Sequence, residues 1–170
     1  EEILYPEVAR CLAVRGAEVF VHPSSEVASP DLTIKQIARR ARALENLAYV
    51  VSANNASLHG IDVPIDSSNG FSDIIDFQGK QMIVAGVGES SVANITLDLA
   101  ALRAWRRRPG MPNMLARQAL DLFAGVYAQA DLRRKNGLLE GDRLVIPDRS
   151  YFLQRQADTL ARMRERGVIL

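Results

Sequence analysis

Between Ala17 and Asn54 a short apolar run, a long amphipathic stretch and a second short apolar run follow one another, a pattern that few architectures accommodate. Ala17 to His22 (AEVFVH) is β-branched and aromatic and is closed by Pro23, which predicts a buried strand. Ser29, Pro30 and Asp31 then offer a cap and a proline suited to a first helical turn. Ile34, Ile37, Ala41 and Leu44 follow at helical spacing and predict a long amphipathic helix. Ala48 to Asn54 (AYVVSAN) predicts a second buried strand. Strands joined through a helix in this way are expected to lie parallel in an α/β layer, each feeding a loop at its C-terminal end. Before them, Pro6 opens and Gly16 closes a short helix in which Val8, Cys11, Leu12 and Val14 recur near helical spacing, so Cys11 is expected on the buried face, inert rather than reactive.

The pattern changes after Asn55. Residues 56 to 72 read as a polar loop, and three strands with short connections are expected beyond it: Asp73 to Phe77, Gln81 to Val87 and Val92 to Leu99. An antiparallel meander joined to a parallel pair makes the expected class α/β with a mixed sheet. Ala100 to Arg108 reads as a brief helix ending in arginines, stopped by Pro109, Gly110 and Pro112. The run Arg106 to Arg108 is expected to be a solvated helix end. Asn113 to Tyr127 fits either a helix or an extended arm, and Ser150 to Arg166 a charged helix. The expected organisation is a core over residues 1–108 and an arm with a helix over 109–170.

Composition removes several classes of function. With 170 residues, 48% of them hydrophobic, one ordinary core is within reach, and a net charge of +1 gives no reason to expect a nucleic acid or membrane surface as partner. A small ligand is expected instead. The absence of a bilayer-length apolar run, the acidic first residues and a single cysteine fit a cytoplasmic protein without a disulfide framework. The chain opens within an element and without an initiator Met, so an upstream segment is expected. Two histidines and one cysteine do not supply a spaced zinc cluster, and no metal or cofactor is expected. Gly86-x-Gly88 falls between expected strands rather than at the start of a helix, so it reads as a tight turn, not a dinucleotide cradle. Neither a G-x-S-x-G elbow nor a phosphate loop occurs. What remains is the strand ends. His22, Pro23, Ser24, Ser25 and Glu26 follow the first strand, Asn54 and Asn55 end the second, and adjacent strands would bring them together where open α/β folds place ligands.

Glu2, Tyr5, Pro6, Glu7 and Arg10 have the spacing of the stretch that follows the catalytic cysteine in the nitrilase superfamily of carbon-nitrogen hydrolases, and the chain resembles that family's C-terminal portion. Arg15-Gly16-Ala17-Glu18 resembles the family's entry into the next strand, and Arg42 to Asn46 with Val50 to Asn54 its R-A-x-E-N helix end and following strand. Gly70, Ser72, Ile74, Ile75, Asp76 and Gly79 resemble its later turn, and Asp98-Leu99 the close of its last core strand. The resemblance implies half of a four-layer α-β-β-α sandwich, with 1–108 as part of the hydrolase domain and 109–170 as a subunit-contact extension. Such a half exposes a long sheet edge, and alone it is expected to dissolve poorly.

It also implies a catalytic Cys immediately before Glu1 and a Glu and a Lys further upstream, acting through a thioester on a small amide, carbamoyl or nitrile substrate. The Glu1 backbone N–H becomes a candidate oxyanion donor. Glu2, Tyr5, Glu7 and Arg10 become structural supports, with Glu7 and Arg10 one helical turn apart as an ion pair, and His22, Ser24, Ser25 and Asn54 become substrate-binding candidates. A homodimer or higher homo-oligomer is implied as well. Acyl transfer to an amine, and a non-catalytic binding or assembly module on the same scaffold, remain open alternatives.

Overall fold

In a computed structural model that describes residues 1–68, 70–133 and 135–169, the chain divides into two compact units, Glu1–Gln118 and Ala119–Leu170. The first holds a mixed four-stranded sheet in sequence order. Strand β1 (Val19–Ser24) lies parallel to β2 (Tyr49–Asn54), and β3 (Asp73–Ile75) and β4 (Gln81–Val84) follow antiparallel. The parallel pair arises as expected, because helix α2 (Ile34–Asn46) carries the chain back between β1 and β2.

Alternation along the strands sets two faces. Phe20, Val50 and Ile75 share one, packing on Ala43 of α2 and on Ala9 and Ala13 of helix α1 (Pro6–Val14), where small helical side chains allow close approach. Tyr49 faces the other way and meets Phe77 edge-on at 5.5 Å, with Leu102 of helix α3 (Leu99–Arg107) buried against them. Past Tyr49 that second face is open, and Val21 is 77% exposed.

Several elements depart from expectation. Helix α2 starts at Ile34 rather than at Pro30: Thr33 accepts from the Gln36 N–H while Gln36 reaches back to the Thr33 N–H, and this reciprocal cap outcompetes the upstream Ser-Pro signal. The apolar positions of α1 turn out differently too. Ala9 and Ala13 are its buried pair, which leaves Val8, Leu12, Val14 and Cys11 exposed. Cys11 is thus a free surface thiol, not a core residue. The strand expected over Val92 to Leu99 does not form. The chain leaves the sheet at Val84, the Glu89 carboxylate closes a turn on the Gly86 N–H at 2.6 Å, and Val92 is 91% exposed with no strand beside it. Asp98 closes no strand. It caps α3 by accepting from the Ala101 N–H at 2.8 Å. Arg106 is no solvated helix end either, since its guanidinium donates to the carbonyls of Ala17, Asn46 and Leu47 at 2.6, 3.3 and 2.9 Å.

After α3 the chain is fixed by Asn113. This buried residue donates to the Arg106 and Arg108 carbonyls at 2.9 and 3.0 Å and accepts from the Ala116 N–H at 3.0 Å, satisfying the open end of the helix. The second unit consists of helix α4 (Leu120–Gln129), a short hairpin of β5 (Leu139–Glu140) and β6 (Arg143–Leu144), and helix α5 (Arg149–Glu165) capped by Asp148. Among the described residues no helix is long and apolar enough to cross a membrane.

Candidate active site

The C-terminal ends of β1 and β2 are bound together by short polar side chains, because the loops that follow them cannot pair as strands and need other partners for their backbone groups. Asn54 is the centre of this arrangement. Its Oδ1 accepts from the Glu26 N–H at 2.7 Å, its Nδ2 donates to the Gly70 carbonyl at 2.7 Å, and its own N–H donates to Ser72 Oγ at 2.9 Å. The hydroxyl of buried Ser68 lies 2.7 Å from the Asn55 carbonyl oxygen and 2.9 Å from that of Glu26, and its one proton is shared between these two acceptors. Gly70 is required here: at φ +84° a Cβ would lie 3.0 Å from the Gly86 carbonyl oxygen.

The sequence-predicted residues therefore fall into distinct situations. Asn54 and Ser24 are register partners across β1 and β2, and Asn54 spends both ends of its amide on the loops. Ser25 is exposed and accepts from Asn55 at 3.0 Å. The Ser24 hydroxyl is buried and has no hydrogen-bond partner among the described residues. His22 is half-buried, with Nδ1 2.9 Å from Ser52 Oγ.

Beneath His22 lies a polar cluster that the sequence reading missed. Arg39, on the buried face of α2, donates to Ser52 Oγ at 2.6 Å and lies 3.4 Å from Asp73 Oδ1; the two side chains are 1% and 0% exposed. Gln81 donates to the other Asp73 oxygen at 3.1 Å, and Arg39 Nη2 reaches the carbonyl of Phe71, a residue at φ +58°. Arg39 Nε and Asp73 Oδ1 have no hydrogen bond among the described residues, so the ion pair at 3.4 Å is the compensation that Oδ1 receives there. Burial pushes the Asp73 carboxyl up and Arg39 pulls it back. Burial likewise lowers His22, with the positive charges of Arg39 and Lys35 adding to it and Glu26 opposing, so the imidazole is neutral at neutral pH.

The first residues form a single 3-10 turn, Glu2–Leu4, leading into α1. Arg42 Nε holds it by donating to the Ile3 carbonyl at 3.0 Å, and Arg42 is itself paired with Glu45. Arg10 Nη2 donates to the Glu45 carbonyl at 2.7 Å, which ties α1 to the end of α2. Exposed Tyr5 donates to the Glu1 carboxylate at 3.4 Å, and Glu7 lies in the first turn of α1. The Glu2 carboxylate sits 3.1 Å from the Glu1 backbone nitrogen. Glu2 of the turn and His22 of β1 interact electrostatically. No three His, Cys, Asp or Glu side chains among the described residues are placed to hold a metal ion.

The sequence model of carbon-nitrogen hydrolases matches residues 1–107. The chain belongs to the carbon-nitrogen hydrolase family. Its fold is shared with solved members of the nitrilase superfamily. A carbon-nitrogen hydrolase from Helicobacter pylori G27 aligns with a TM-score of 0.60 and 19% identity over 75% of this chain and 47% of that one. The C. elegans NitFhit protein aligns at 0.55 and 22% identity over 71% and 28%. A variant of the amidase from Nesterenkonia sp. AN1, whose active-site cysteine carries the product of Michael addition of acrylamide, aligns at 0.56 and 21% over 74% and 42%. The chain thus spans less than half the length of these carbon-nitrogen hydrolase structures.

Proposed function

We propose that the protein hydrolyses a small, non-peptide carbon-nitrogen bond, with an amide, carbamoyl compound or nitrile as substrate, and that these residues supply the oxyanion side and one wall of its site. The observation that carries this reading is the turn Glu2–Leu4, braced by Arg42 at the head of α1, in a chain matched to this family over residues 1–107. The nucleophile is a cysteine immediately before Glu1, and a glutamate and a lysine come from residues further upstream. The thiolate attacks the carbonyl carbon, the glutamate carries the thiol proton to the leaving nitrogen, and water then hydrolyses the thioester; a nitrile first gives a thioimidate, which takes up one further water to release ammonia and reach the same thioester. The tetrahedral oxyanion is held by the lysine and by the backbone N–H of Glu1, a donor that catalyses only if it does not move, which is the service of Arg42 to the turn. Glu2, Tyr5, Glu7 and Arg10 support that turn. His22, Ser24, Ser25 and Asn54 form the wall, Asn54 by positioning the loops around it. Exposed Val8 and Leu12 on α1 and exposed Ile37 and Leu44 on α2 are apolar surface suited to a second copy of the chain, and the open sheet face around Val21 suits a second sheet.

The test is mass spectrometry and ammonia release on the intact polypeptide from its true N-terminus. A Cys before Glu1, covalent labelling of that residue by iodoacetamide, and turnover abolished by its replacement with Ala are expected. Labelling of Cys11 alone, or a different residue at that position, would refute the reading.

A further inference from the structure

His22 has an unusual support for a residue at a strand end. Arg39 has only protons to give, so Ser52 Oγ accepts from it at 2.6 Å. With the ring proton on Nε2, the Ser52 hydroxyl proton has Nδ1 of His22, at 2.9 Å, as its acceptor. With the ring proton on Nδ1 instead, that buried hydroxyl proton would have no acceptor among the described residues, so the geometry favours the Nε2–H form. Arg39 cannot swing away to release it, because its side chain is 1% exposed and held by Asp73 on β3 and the Phe71 carbonyl. His22 and Ser52 face each other in strand register, so the ring is held by two strands and a helix together. Nε2 has no partner among the described residues. The charged groups that act on the ring are Arg39, Lys35 one turn before it on α2, Glu26 and Glu2. Burial, Arg39 and Lys35 oppose a second ring proton and outweigh Glu26, and such a proton would also confront Ser52 with a donor where it now finds an acceptor.

We propose that His22 is the specificity-determining residue of this site: a neutral imidazole locked as an Nε2–H donor, which selects amides whose acyl portion carries an oxygen acceptor over plain alkyl amides. This rests on the amidase reading above and adds the substrate class to it. A locked donor that meets an alkyl group is stripped of water with nothing to bond, whereas a carbonyl or carboxylate oxygen satisfies it.

The experiment uses the intact polypeptide and three probes: butanamide, 4-oxopentanamide with a ketone oxygen, and succinamate with a carboxylate. The oxygen-bearing probes are expected to exceed butanamide in kcat/KM by about 5- to 100-fold. Their relative rates distinguish ketone from carboxylate. His22→Phe is expected to collapse that ratio, His22→Gln to restore part of it through its amide N–H, and Ser52→Ala to reduce it by freeing the tautomer. Imidazole 15N spectra of the wild-type protein supply a readout independent of turnover and of how the variants fold, with the Nε2–H form expected. An Nδ1–H ring, or a ratio unchanged within twofold in His22→Phe, overturns the proposal while leaving the amidase reading in place. No hydrolysis of any probe, together with an unlabelled nucleophile in the experiment above, overturns both.

Discussion

Replacing Arg39 with Met removes the cation from a pair whose side chains are 1% and 0% exposed while keeping most of the volume. At 3.4 Å and an effective dielectric constant of about 20, the lost attraction is roughly 5 kcal/mol. That agrees with the ~3–5 kcal/mol generally lost when one member of a buried pair is removed. Trp105 is the only tryptophan of the chain and packs 6.1 Å from Phe77, so its fluorescence reports unfolding of the first unit in urea. The midpoint is expected to fall by about 1–3 M. Asp73→Asn should destabilise as well, because it leaves the Arg39 cation buried without its counter-charge, although the amide resembles the neutral form of the carboxyl that burial favours. The pH dependence separates the two accounts. A carboxyl raised in the folded state contributes most stability below its unfolded value, and that contribution is lost as pH rises through the folded value. Without Arg39 the folded value moves higher still, so the deficit of Arg39→Met should shrink between pH 7 and pH 4, where Asp73 takes up its proton. A deficit below about 1 kcal/mol, or one that is constant over this range, would refute the assignment of Arg39 as compensation for a buried charge.

His22 titrates with the opposite sign. Its value is lowered in the folded state, so its contribution is complete above the ordinary histidine range and is lost as pH falls from about 6.5 towards the folded value; urea titrations at pH 7.5 and 5.5 should show a slope that His22→Phe lacks. Asn113→Ala orphans the carbonyls of Arg106 and Arg108 and the Ala116 N–H, at a cost of about 1–3 kcal/mol, and hydrogen exchange at Ala116 should accelerate well ahead of that in β2.

The parts of the fold that could be read from the sequence are those whose cause is local. The β-branched runs of β1 and β2 and the helix between them suffice for a parallel pair, and Pro6 for the start of α1. Val92 to Leu99 has strand composition, yet a strand needs a neighbour and β4 ends before one is offered. Arg39 was hidden for a related reason. An arginine in an amphipathic helix reads as surface, and only its partner on β3, 34 positions further along, allows it to be buried. A charged residue next to Ala38 on the core side of α2 was the available signal. At the site itself, Asn54 and Ser25 were legible as strand-end polar groups, but which of them serve the backbone rather than a ligand depends on Gly70 and Glu26, contacts that no periodicity encodes.

Arg106 bears on the order in which the chain can be completed during synthesis. The carbonyls of Ala17, Asn46 and Leu47 that it satisfies mark the entry to β1 and the end of α2, and they precede it by 89, 60 and 59 residues. A ribosome delivers the β1–α2–β2 layer long before the guanidinium that seals it. Until α3 clears the exit tunnel, those backbone groups face water and the Tyr49–Phe77 face has no Leu102 against it. The nascent sheet is therefore held half-finished until this helix arrives, and the last core helix to emerge closes both the polar and the apolar seams in one docking step.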